Sequence, residues 1–160
     1  MRPIRTRRRV LESLAKAKSL VAVRAENRLQ HHALGEAVLH QIDATLLALV
    51  RQVGDAHGVK PENIGSLNDL TAQLTQRNLV SLEAQRMQIL AKDSESWWNA
   101  FQMHYATIIC PDEVSRSFDI DRIPLADPTG LDRLKSERYS GWIEELSGLV
   151  EDFQVRFDES

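Results

Sequence analysis

Residues 31–57 read HHALGEAVLHQIDATLLALVRQVGDAH, and this stretch decides the fold. With Ile42 at the centre of a helical wheel, Val38, Leu39, Leu46, Leu49, Val50 and Val53 all fall within about 80° of it, one continuous apolar wall. Leu34 and Leu47 widen that wall. Ala37, Ala44 and Ala48 keep the remaining sides thin, so helices can approach from more than one direction. A helix of about 27 residues runs roughly 40 Å, the length of a small bundle. The spacing predicts a central helix on which everything else packs.

Composition agrees with that frame. A chain of 160 residues is one domain by size and can bury roughly 70% of its unfolded surface without a disulfide or metal staple. Seven glycines and five prolines are too few for a strand-and-turn architecture, which leaves helices. The single cysteine, Cys110, excludes an internal disulfide and a Cys-based zinc site and fits a reducing, cytoplasmic compartment. No run reaches 18 uninterrupted apolar residues, so no transmembrane segment is expected. The net charge of −3 conceals opposed ends. Residues 1–30 hold nine Lys or Arg against Glu12 and Glu26, whereas residues 31–160 hold eleven against twenty-one acids.

The opening MRPIRTRRRV packs Arg2, Arg5, Arg7, Arg8 and Arg9 behind Pro3, and residues 1–9 are expected to form a flexible basic arm on a bundle spanning 10–160. Glu12, Lys16 and Lys18 interrupt the next stretch, unlike the apolar core of a secretory signal; an Arg-rich, acid-poor transit peptide fits slightly better. Leu11, Leu14, Ala15, Val21, Ala22 and Ala25 predict a first amphipathic helix from Val10 to about Arg28. Gly54, Gly58 and Pro61 stop the central helix, and Ser66 with Asp69 reads as a capping box opening a short helix through Arg77. A second short helix is expected from about Leu79 to Lys92. Asp93 or Ser94 caps the next, whose Trp97, Phe101, Tyr105 and Ile108 form an aromatic layer, with Trp98 and Ile109 beside them. Adjacent Trp97 and Trp98 cannot both point inward, so one belongs at a surface patch. Residues 112–126 lack a helical period and are expected to be pinned by Val114, Phe118, Ile120 and Ile123. Asp127-Pro128 opens a last helix carrying the stripe Trp142, Ile143, Leu146, Leu149, Val150, Phe153 and Phe157.

Three constellations carry candidate chemistry. His32, Glu36, His40 and Asp43, at spacings of four, four and three, share one edge of the central helix. Imidazoles and carboxylates one turn apart can ligate a metal, but a bundle site needs donors from a facing helix, and only His104 is an obvious one. A solvated helix edge is the simpler reading, and no cofactor is expected. Arg51 and His57 match the Arg–His spacing of the HEPN superfamily of small helical-bundle ribonucleases, in which arginine would steady a phosphate and histidine move a proton. Arg24 and His31 meet a similar spacing, and a helix continued to His57 would put it about 120° from Arg51. The five arginines could seek phosphates, although no aromatic interleaves them and the remaining chain is acidic.

The order of motifs resembles a family of short, uncharacterised bacterial helical proteins known only as a domain of unknown function. The residues that carry the likeness are ALGEAVLHQIDATLLALV at 33–50, SLNDL at 66–70, ESWWNAFQMHY at 95–105 with Cys110-Pro111, and GWIEELSGLVEDFQVRF at 141–157. The resemblance implies a compact bundle and supplies no catalytic residues; the arginine arm departs from it.

The expected fold is an all-α, single-domain bundle of five to six helices with long central and C-terminal helices. No Gly-rich phosphate loop or nucleophile elbow is present, which favours a non-enzymatic module binding another protein. The alternative is a nucleic-acid-associated or HEPN-like RNA-processing bundle using Arg51 and His57. Self-association into a homo-oligomer stays open.

Overall fold

A computed structural model describes residues 4–111 and 130–160, with side chains from residue 137 onward in the last segment. The chain is an all-α bundle: α1 (Ile4–Val21), α2 (Arg28–Ala56), a 3-10 turn (Pro61–Asn63), α3 (Leu67–Gln76), α4 (Leu82–Lys92), α5 (Trp97–Ile109) and α6 (Gly130–Glu159). The crossing at 112–126, its anchors Val114, Phe118, Ile120 and Ile123, the Asp127-Pro128 cap and Arg2 lie outside the described residues.

The apolar wall of α2 is the centre of the core, with Leu39, Ile42, Leu49 and Val53 fully buried. Each such side chain contributes about 1.5–3 kcal/mol relative to exposure. Two long helices close on α2. Helix α1 runs antiparallel to α2, since Thr6 Oγ1 donates to Asp55 Oδ2 at 2.9 Å. Helix α6 runs parallel to α2: Gly35 faces Tyr139 near one end and Gln52 meets Gln154 near the other. Helix α3 packs near the C-terminal end of α2, where Leu70 approaches Gly54, α4 contacts both α2 and α3, and α5 lies against α6 through Phe101 and Trp142.

By length and composition α2 could also cross a membrane, a profile that buried core helices share.

The N-terminal segment departs from the expected arm. Helix α1 starts at Ile4, six residues before Val10, so Arg5, Arg7, Arg8 and Arg9 occupy its first turns. Arginine is a good helix former. The buried face is spelled Thr6, Val10, Ser13, Leu14 and Ala17, a helical spacing written partly in small polar residues, while Leu11 and Ala15 face outward. The Ser13 hydroxyl satisfies itself on the Arg9 carbonyl at 2.8 Å, which lets a polar residue sit at zero exposure. The helix also ends at Val21, seven residues short of Arg28, and Arg28 instead begins α2 behind the N-cap Asn27.

Side-chain caps set the other starts. Ser66, Ser81 and Ser96 accept from the backbone N–H groups of Asp69, Ala84 and Asn99. Asp93 and Ser94, the two expected caps of α5, are not used: Asp93 ends α4 and accepts from the Glu95 N–H, and Ser96 caps α5. Helix α2 stops in a Schellman motif: Val59 N–H reaches the Gly54 carbonyl and Gly58 N–H the Asp55 carbonyl, with Gly58 at φ 76°. Helix α3 ends the same way with Asn78 at φ 55°. Arg77 Nη1 donates to the Gly58 carbonyl at 3.0 Å, fastening the second stop to the first.

Candidate interaction surface

Arg51, the phosphate-steadying candidate, is half-buried, and its Nε–H donates to the Ile64 carbonyl at 2.8 Å, holding the loop after α2. His57 is the C-cap of α2, its backbone N–H bonded to the Gly54 carbonyl. The phosphate-steadying role therefore falls to a side chain whose Nε–H is already engaged by the fold. Of the arginines in α1, Arg7 pairs with Asp158 at 2.9 Å and Arg8 with Glu12 at 2.8 Å, while Arg5 and Arg9 are exposed. The first of these pairs ties the start of α1 to the acidic end of α6.

The His32, Glu36, His40, Asp43 edge does not converge on an ion. Among the described residues, no group of three or more His, Cys, Asp or Glu is arranged to hold a metal. His40 Nε2 lies 3.6 Å from Glu36, and its Nδ1 forms a 2.7 Å hydrogen bond with the Tyr105 hydroxyl. His32 packs edgewise on His31. His104, the donor expected to face this edge, bonds the Tyr139 hydroxyl at 2.7 Å. Burial pushes the half-buried Asp43 carboxyl up, an effect that His40 offsets in part. Burial, with the Asp43 and Glu36 charges, raises the Tyr105 phenol; burial also raises Tyr139, against Arg138. Both hydroxyls thus stay protonated at neutral pH and bind the two histidines into a layer of rings that includes Phe101 and Trp142.

The two tryptophans divide as their adjacency requires. Trp98 is buried with Phe101, and Trp97 is half-buried at the edge of a hollow of about 770 Å³ between α4 and α6. Helix α4 explains the hollow. Ala84 and Met87 point into the core, but Leu82 and Ile89, seven residues apart and hence about 20° apart on the wheel, point away from it. They are 64% and 69% exposed. Opposite them, α6 contributes Leu149 to the floor and Glu144, Glu145, Glu151 and Asp152 to the rim. Arg86 bridges to Asp152 at 3.0 Å and lies over the Phe153 ring, fixing the spacing of the two helices.

A second hollow of about 450 Å³ lies on the other flank of α6, against Lys18 and Val21 of α1, with Lys18 Nζ donating to Ser147 at 3.0 Å. Glu144, Gly148 and Glu151 line both hollows, so they form the crest between them. A Cβ built on Gly148, or on Gly141 seven residues earlier, would meet nothing within 4 Å. In the sequence Glu144, Glu145, Glu151 and Asp152 read as the outer face of the last helix. The available signal is the pair of glycines inside a strongly patterned helix, together with the two-sided apolar spelling of α4.

No protein-family model, curated protein or solved structure matches the chain.

Proposed function

We propose that this chain is a protein-binding module whose docking face is the crest of α6 with the apolar hollow it shares with α4. The observation that carries this reading is the coincidence of exposed Leu82 and Ile89, half-buried Trp97 and the open crest at Gly148 in one concave place. Scattered exposed apolar residues are ordinary; a concave apolar strip rimmed by charge is the form that partner sites take. The fold beneath it is self-sufficient, with capped helices and a continuous core, so the module presents a rigid face and loses little freedom on binding.

The test is site-specific photo-cross-linking in the native cell from position 89, beside the same probe at the exposed position Gln102. One partner should be captured from 89 and not from 102, and Gly148→Leu, which fills the crest, should abolish the capture. Equal capture from both positions, or capture indifferent to Gly148→Leu, would overturn the assignment of this face.

A further inference from the structure

Resting on that docking reading, we infer that the partner element is a cationic amphipathic α-helix lying along the crest of α6. Three observations converge on this partner. First, Gly141 and Gly148 have open space where a Cβ would go, and each costs a helix interior about 0.5–1 kcal/mol relative to alanine. The packing of the described residues offers no return for that cost, whereas missing side chains on one face let a second helix axis come closer than the usual 8–10 Å or so. Second, the walls are acidic in a helical register. Glu144 and Glu151 flank Gly148 along the crest, and Glu145 and Asp152 repeat the seven-residue spacing on the α4 side. Asp152 is neutralised by Arg86, which leaves Glu144, Glu145 and Glu151 facing an arriving partner. Of the other cations lining the two hollows, Lys18 is turned to Ser147 and Arg156 stands a turn beyond Asp152. Third, Leu82 and Ile89 share the seven-residue spacing on α4, so apolar side chains recurring every two turns would fall between them and Trp97.

From Ser140 to Asp152 the crest is about 18 Å long at helical rise, which a partner helix of three to four turns would cover. Its Lys or Arg would lie between Glu144 and Glu151, and its apolar stripe would enter the α4 hollow. Helix α1 of a second copy is a poorer occupant despite its arginines, because its own apolar stripe of Val10, Leu14 and Ala17 is already buried on α2.

The probe is a labelled 18-residue leucine/lysine peptide with all leucines on one helical face, compared with a scrambled peptide of the same composition. Fluorescence anisotropy should show saturable one-to-one binding of the amphipathic peptide. Glu144→Lys with Glu151→Lys, and separately Gly148→Leu, should each weaken it about tenfold or more, equivalent to roughly 1.4 kcal/mol. Glu26→Lys with Glu62→Lys, a charge reversal of equal size at exposed positions off the crest, should change it less than about twofold. Thermal melts of each variant establish that the fold is intact; the Gly148 side chain enters open space and should leave it so. Equal weakening by the remote reversal, or equal binding of the scrambled peptide, would reduce the effect to diffuse attraction and overturn the inference. A dimer in sedimentation that Gly148→Leu dissolves would assign the crest to a second copy and overturn it as well. A partner cross-linked from position 89 through a segment that is neither helical nor basic would sink the partner class while the docking function stood.

Discussion

The packed interior between α2 and α6 and the outward side of α6 hold their glycines and polar residues on opposite terms. Facing inward, Gln154 is buried against Gln52 of α2, and the two amides exchange hydrogen bonds of 2.9 and 2.8 Å. Nearby on α2, Gly54 is required by contact: a Cβ there would come within 2.2 Å of the Ile64 Cδ1. Facing outward, a Cβ on Gly148 would meet nothing within 4 Å, and Glu144 and Glu151 line open hollows. Each of these inward residues is accounted for by a neighbour in the chain. The outward ones are left without such an account, and that difference is what the proposed docking face rests on.

The sharpest way to break this contrast is Gln52→Leu. It would leave the Gln154 amide buried without its partner, at a cost of about 1–3 kcal/mol in urea unfolding. Replacing both glutamines by leucine should recover most of that loss, because no buried polar group is then stranded. A double variant as damaged as the single would show that packing, not hydrogen bonding, sets the pair. Next in size, Gly54→Ala should destabilise by about 1–2 kcal/mol, overpacking against the fully buried Ile64 outweighing the gain in helix propensity. In a chain of this length that amounts to a melting-temperature loss of roughly 2–8 °C. Gly148→Ala should do the opposite and stabilise by about 0.5–1 kcal/mol. A loss there would mean that the outer face is already packed.

The smallest effect belongs to Asp43, at the border of the two regimes. Its carboxyl is raised by burial in the folded chain, so the folded state holds that proton more tightly than the unfolded state does. Stability from this group is therefore full below the ordinary carboxylate range and is lost as pH rises through the raised folded value. Asp43→Asn should accordingly melt slightly higher than the parent at neutral pH, and the difference should vanish near pH 3. A gain that persists in acid would point to packing instead of charge.

How much of the fold and of the proposed docking face is legible in the sequence depends on whether a signal is local. The wall of α2 and the Ser66–Asp69 cap are written in residues three and four apart, and both stand as expected. The early start of α1 is hidden because Thr6 and Ser13 fill buried positions that a search for apolar residues passes over. Asp93 and Ser96 are both good caps, and only the turn in which Ser96 N–H bonds the Asp93 carbonyl chooses between them. The amide pair cannot be read at all. Gln52 and Gln154 are 102 residues apart, and each looks like surface until the helices meet. The crest with its hollow is half legible: the adjacency of Trp97 and Trp98 puts one of them at a surface patch, but the hollow beside Trp97 exists only where α4 leans on α6.

Because α6 lies parallel to α2 and comes after every other described helix, Gln52 leaves the ribosome 102 residues ahead of the partner it will bury. At roughly 5–20 residues per second, the interval is about 5–20 s. The neighbours α1 and α2 can zip together during it, their contacts being closer in sequence. The part of the core that Tyr139, Trp142, Leu146 and Phe153 complete stays open for those seconds, an apolar surface that the finished protein buries and that a ribosome-bound chaperone can hold in the interval.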